Sequence, residues 1–212
     1  TGPLIVVDHH QNGRDFGDLS LRDTSAAAVG VIIARLLRAL GVPLTPAIAE
    51  CLWCSLVPDT GWFRYASTDL GTMRLATACV EAGAVPWDFA RRSEESAPPA
   101  RLALMARVFD TLELVGAVAL LTLERATLAA TGTTTAEAEG LVGYARALDG
   151  VEVGVMLYED EGGVRVSLRS KGAIDVGAVA AGLGGGGHRA AAGCFVPGSL
   201  ATVRARVLEA LR

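Results

Sequence analysis

The sequence predicts an α/β protein of two unequal parts, and three observations carry that reading. After one short apolar run, the first half repeats its apolar side chains at three- and four-residue intervals; the second half switches to alternation at every second residue. Between them lies Glu94-Glu95-Ser96-Ala97-Pro98-Pro99, the most polar, proline-containing stretch of the chain. With 212 residues, 51% of them hydrophobic, there is room and material for one large or two small cores. The expected boundaries are residues 1–97, with a helical connector to about 110, and residues 111–212.

Each element follows from local chemistry. Leu4-Ile5-Val6-Val7 reads as a buried strand. Asp23-Thr24-Ser25 precedes Ala26 to Leu40, whose Val29, Ile32, Ile33, Leu36, Leu37 and Leu40 recur on one helical face before Gly41, predicting a capped amphipathic helix. Residues Pro46 to Val57 are apolar all round and predict a buried second helix stopping at Pro58. Ser67-Thr68-Asp69 caps a third, running to about Ala82 with Gly83 as its stop. Pro86 to Met105 is mainly helical, broken between Ser93 and Pro99.

Beyond the junction, Leu112 to Val115 and Ala117 to Leu123 predict a strand pair around Gly116. Thr134-Thr135-Ala136-Glu137 has capping-box spacing before a helix to about Leu148. Val151 to Tyr158 and Val164 to Arg169, separated by Glu159-Asp160-Glu161-Gly162-Gly163, read as a hairpin. In its second strand Val164, Val166 and Leu168 alternate with Arg165, Ser167 and Arg169, so one face is apolar and the other basic. A helix from Val176 to Leu183 and a last helix capped by Ser199 complete the mixed sheet.

Two motifs carry chemistry. Asp8-His9-His10 emerges where the first strand ends, and strand ends in open α/β sheets form ligand crevices; imidazole and carboxylate suit divalent metals. On their own the histidines read more readily as capping the strand and facing water. The run Gly184-Gly185-Gly186-Gly187-His188-Arg189-Ala190-Ala191-Ala192-Gly193 reads as an anion cradle of inward-turned N–H groups, with His188 and Arg189 as added donors. Asp59, within Pro58-Asp59-Thr60-Gly61, is by turn chemistry alone a backbone cap. The formal net charge of −4 argues against broad attraction to long duplexes. Cys51, Cys54, Cys79 and Cys194 form no disulfide framework; Cys51 and Cys54 are expected to be buried small hydrophobes. No signal peptide and no membrane span is read, so a cytoplasmic location is expected.

The segments VVDHH at 6–10, RDTSAAAV at 22–29, PDTGWFRYAS at 58–67 and SLRSKGAIDVGAVAAGLGGGGHRAAAG at 167–193, in that order, resemble the DHH phosphoesterase superfamily, and specifically its NrnA-type branch of nanoRNases and pAp phosphatases. The likeness implies the C-terminal half of a DHH α/β catalytic domain joined to a smaller, mixed-sheet, DHH-associated domain that binds substrate. Members of the family begin with another hundred or so residues carrying an Asp-x-Asp motif, which this sequence lacks; Asp15 and Asp18 stand in the wrong place to replace it. The chain is therefore expected to be an incomplete enzyme.

What the likeness implies can be set out residue by residue. His9 and Asp59 become metal ligands and His10 faces substrate phosphate, while Asp8 either binds metal or orients His9. Arg64, Arg169, Ser170, Lys171, Gly186, Gly187 and His188 become the substrate pocket, in a cleft between the domains. The implied reaction is two-metal hydrolysis with Mn²⁺, or Mg²⁺, acting on short RNA or small nucleotide phosphates, with no long duplex DNA, no membrane and a possible homodimer as partners. Two other readings remain: a non-catalytic nucleotide- or RNA-binding fragment, and a DHH pyrophosphatase, against which the GGGGHRAAAG segment argues.

Overall fold

The computed structural model describes residues 2–10 and 16–212, and the chain separates into two compact units, Thr1–Ser96 and Ala97–Arg212. In the first, strands β1 (Ile5–Asp8) and β2 (Leu19–Arg22) pair in parallel, with Ile5 opposite Leu19 and Asp8 opposite Arg22. Helices α1 (Val29–Ala39), α2 (Pro46–Thr60), α3 (Leu70–Glu81) and α4 (Pro86–Ser93) complete this unit. Its core joins Val31 and Ile32 of α1 to Leu52, Trp53 and Leu56 of α2 and to Ala76 and Cys79 of α3.

Three sequence expectations are corrected here. Helix α1 begins at Val29 rather than Ala26, because Asp23 closes a local turn instead: its carboxylate accepts from the Ser25 amide at 3.0 Å and pairs with Arg35 at 2.6 Å. Helix α2 continues through Pro58 to Thr60. A proline in the last turn forfeits only one helical hydrogen bond, and the end is secured by Gly61 at φ 55. Nor is α2 buried all round: Ala49, Leu52, Trp53, Leu56 and Thr60 form its inward stripe, which leaves Cys51 exposed and Cys54 half-buried, while Cys79 and Cys194 are buried.

The second unit contains α5 (Pro99–Phe109), β3 (Glu113–Val115), β4 (Val118–Leu123), α6 (Arg125–Thr131), α7 (Val142–Arg146), β5 (Val153–Asp160), β6 (Gly163–Ser170), α8 (Val176–Gly182), β7 (Gly186–His188), β8 (Ala191–Pro197) and α9 (Leu200–Ala210). Its sheet runs β3-β4-β5-β6-β8-β7, with β4 and β5 parallel and the other neighbours antiparallel. Val155, Val166, Leu168 and Val196 pack one face against α8 and α9. Leu121, Met156 and Tyr158 pack the other against Leu104 of α5 and Leu141, Val142 and Ala145 around α7. The alternation in β4 and β5 thus separates two cores.

Here too the structure departs from expectation at two places. The Thr134–Glu137 capping box forms, but it starts only a tight turn of 3-10 helix, Thr135–Ala138, and Gly140 at φ 84 ends it before α7. The glycine run is not an open nest. Gly184, at φ 88, follows the end of α8, and Gly186–His188 becomes strand β7, whose amides alternate in direction rather than converge. Among the described residues, no helix is long and apolar enough to cross a membrane.

Candidate functional site

In the first unit, the end of β1 and the end of α2 bring three sequence-distant groups together. His9 Nε2 stands 3.6 Å from Asp59 Oδ2, and His9 Nδ1 lies 3.4 Å from the Ala26 carbonyl oxygen. The first distance is too long for a hydrogen bond. An imidazole nitrogen and a carboxylate oxygen therefore flank a common gap, in the half-buried position of His9 and the exposed position of Asp59. That donor pair suits a divalent cation. Among the described residues no group of three or more histidine, cysteine or carboxylate side chains gathers around such an ion, and Asp15 lies outside them. Asp18 serves the strand instead, its Oδ2 accepting from the Leu4 amide at 2.8 Å.

Asp8 turns to His10 rather than to His9. Its Oδ1 accepts from the His10 amide at 3.0 Å and lies 2.7 Å from His10 Nδ1, while Oδ2 lies 3.4 Å from Arg22 Nε. The backbone N–H of His10, then its ring and the Arg22 guanidinium, hold the Asp8 carboxyl down at about 2. Asp8 is thus a fixed anion that orients an exposed imidazole. The two rings sit 4.7 Å apart, centroid to centroid.

Asp59 owes its position to an unusual helix end. Thr60, fully buried, donates to Leu56 O at 2.7 Å and accepts from the Phe63 amide at 3.1 Å. Gly61, Trp62 and Phe63 then follow at φ 55, 59 and 61. Two bulky residues in the left-handed region are strained, at about 1–3 kcal/mol each, and persist only where surroundings impose them. Here Phe63 packs on Trp53 and Trp62 on Phe89, with ring centroids 5.5 and 5.9 Å apart. Arg64, exposed, donates its Nε to Gly61 O at 2.7 Å, which closes the same turn.

In the second unit, Arg169, Ala191 and His188 stand opposite one another across β6, β8 and β7, so Arg169 and His188 share a sheet face. Ser170 is buried; its hydroxyl donates to Glu152 Oε1 at 3.1 Å and accepts from the Gly172 amide at 2.9 Å. Lys171 Nζ donates to Leu148 O at 2.8 Å. These two residues build the turn after β6, whereas Arg169 and His188 line the face. Gly187 at φ 145 fits nothing larger, since a Cβ there would lie 2.5 Å from Ala192 Cα.

Sequence reasoning gave no role to Arg22 or Glu152, and expected Arg189 as a donor of the anion cradle rather than as a brace of the turn after β6. Arg22 was within reach, being the first residue of a quoted segment. Glu152 carries no local signal, yet its carboxylate also accepts from the Ala173 amide at 2.7 Å, the chief reason its pKa is lowered. Arg189 spans the same turn, donating to Gly172 O at 3.2 Å.

Residues 117–212 match the family model described as the DHHA1 domain. This part of the chain is similar to the DHHA1 domain. Over all 212 residues the chain is 34% identical to the bifunctional oligoribonuclease and PAP phosphatase NrnA of Thermus thermophilus. Over 91% of its length the chain is 29% identical to the protein of the same name from Bacillus subtilis. It spans 64% and 62% of the length of those two relatives. A solved exopolyphosphatase-related protein from Bacteroides fragilis shares the fold, with a TM-score of 0.89 at 24% identity over 98% of this chain and 62% of that one. The resemblance to NrnA-type DHH proteins, read from four motifs, is borne out, as is the α/β class.

Proposed function

We propose that the chain belongs to a metal-dependent phosphoesterase that hydrolyses short oligoribonucleotides, the 3′-phosphate of pAp, or both. The observation that carries this is the convergence of His9 Nε2 and Asp59 Oδ2 to 3.6 Å at the end of β1. His9 and Asp59 would hold a divalent cation, Mn²⁺ by the family resemblance. Such an ion supplies Lewis acidity to a phosphoryl oxygen. Asp8 fixes the His10 ring beside that gap, where the imidazole can donate to a phosphate oxygen. Arg169 offers a forked donor that matches a terminal phosphate.

With two ligands gathered among the described residues, the 212-residue chain should bind Mn²⁺ weakly and turn over slowly. The test is Mn²⁺ titration calorimetry together with Mn²⁺-dependent release of mononucleotide from a 5′-phosphorylated dinucleotide. His9→Ala and Asp59→Asn are expected to abolish both the residual metal binding and any turnover. Tight two-site Mn²⁺ binding that survives both substitutions would overturn the assignment. The same sparse ligand set favours one second reading, a nucleotide-binding fragment without catalysis, which retained dinucleotide affinity without turnover would establish.

A further inference from the structure

The first unit carries a cavity that the His9–Asp59 gap does not use. Helices α1 and α3 both pack on α2, and between them lies a trough of about 530 Å³, a volume typical of small-molecule sites. Its walls take Val31, Ala34 and Arg38 from α1 and Arg74, Leu75 and Ala78 from α3, at the three- and four-residue spacing that sets side chains on one helical face. The buried Leu52 of α2 forms its floor.

Among the described residues the lining is hydrocarbon apart from three arginines, and none of it is acidic. Arg35 already pairs with Asp23 at 2.6 Å. Arg38 and Arg74 are exposed, and neither side chain makes a hydrogen bond or ion pair among the described residues. Two uncompensated guanidiniums on one apolar trough draw an anion, and each offers a forked pair of donors that fits an oxyanion.

The body of the guest is set by what the trough lacks. Among the described residues no aromatic, hydroxyl or amide side chain lines it, so a nucleobase or a sugar would leave its polar edge unpaired against Leu52 and Leu75. From Val31 to Arg38 the wall runs about 10 Å, and a docked helix of that length, itself about 10 Å across, would fill about 800 Å³. A narrow hydrocarbon chain fits the smaller space. Ala34 and Ala78, both half-buried, keep the two walls low enough to admit it.

We infer that this trough is a binding site for an amphipathic carboxylate of the medium-chain fatty acid class. The hydrocarbon chain lies over Leu52 between Ala34 and Ala78, and the carboxylate is met by Arg38 and Arg74. Burial of the chain supplies affinity, and the two guanidiniums fix which end of the guest lies where. Such a ligand shares no group with the nucleotide chemistry proposed for His9 and Asp59, so the site stands whether or not that gap hydrolyses phosphoesters.

The test is titration calorimetry of the 212-residue chain with decanoate below its micelle concentration, with hexanoate, decanol and AMP as comparison probes. A single equivalent of decanoate should bind. Hexanoate and decanol should each bind about tenfold or more weaker, the first for its lost methylenes and the second for its lost charge. Arg38→Gln and Arg74→Gln should each weaken decanoate by about fivefold or more while leaving decanol within about twofold. Ala78→Phe, which fills the trough from a half-buried position, should remove decanoate binding, and AMP should not compete with it. The arginine variants break no contact, so they decide the matter should Ala78→Phe unfold the chain. Equal binding of decanoate and decanol overturns the site, as do uptake that survives Ala78→Phe, competition by AMP, or no uptake at all. Sedimentation of the ligand-free chain as a dimer that Ala78→Phe dissociates would give the trough to a second copy and overturn it too.

Discussion

The residue that best shows how the first unit holds its site is Thr60. It is fully buried, and its one hydroxyl both donates to Leu56 O and accepts from the Phe63 amide. Thr60→Val keeps the shape and removes both bonds, leaving a partly buried amide without its acceptor. A loss of about 1–3 kcal/mol is expected for such a group, read as the shift in urea midpoint, and the metal affinity proposed for Asp59, which precedes it, should fall as well. Thr60→Ser should recover most of the stability. A Thr60→Val chain as stable as the parent would show that ring packing, not the hydroxyl, sustains the left-handed turn. Gly61 belongs to the same lock: besides its φ of 55, any Cβ there would run into the Tyr65 ring.

At the scale of elements, caps decide where helices start. Asp69 accepts from the Thr72 amide and hydroxyl, both at 2.7 Å, at the head of α3. Asp69→Ala should cost about 1 kcal/mol, measured by thermal unfolding, and Asp69→Asn should cost clearly less; equal losses would mean that charge rather than capping is at work. This cap was legible in the sequence because a short polar residue stood directly before an apolar-periodic run. The β5–β6 hairpin was legible for a similar reason: Val164, Val166 and Leu168 alternate with Arg165, Ser167 and Arg169. The start of α1 was not, because Asp23 had a nearer partner in Ser25 than the helix amides. The passage of α2 through Pro58 depends on the Thr60 and Gly61 contacts, which no local rule ranks. The glycine run misled because its fate is set by pairing with β8, a tertiary event. His9 and Asp59 were joined only through the family resemblance, since periodicity says nothing about two residues 50 positions apart in different elements.

For the whole molecule, acidity is the informative stress. The carboxyls of Asp23 and Asp69 lie below their ordinary value of 3.8, held there chiefly by the hydroxyls of Ser25 and Thr72. Those of Glu137 and Glu152 lie below 4.5, held chiefly by the Thr134 hydroxyl and the Ala173 amide. A lowered folded pKa means that folding favours the anion. The contribution is complete above the ordinary values and is lost as pH falls through the folded ones. Melting temperature should therefore stay level between about pH 6 and 8 and decline below about pH 4.5; a melting temperature at pH 4 equal to that at pH 7 would refute this.

The β1–β2 ribbon adds a different kind of consequence. It is two short parallel strands whose Ile5 and Leu19 stand side by side, each 59% exposed. Parallel pairs are ordinarily sheltered on both faces, and two strands alone are marginal in water. Asp8 and His9 ride on the end of that ribbon, so its stiffness would set the entropy lost if His9 and Asp59 close on the proposed cation. Anything that came to shelter Ile5 and Leu19 would tune the proposed ion affinity from a distance, as a splint steadies a hand, without contributing a single ligand.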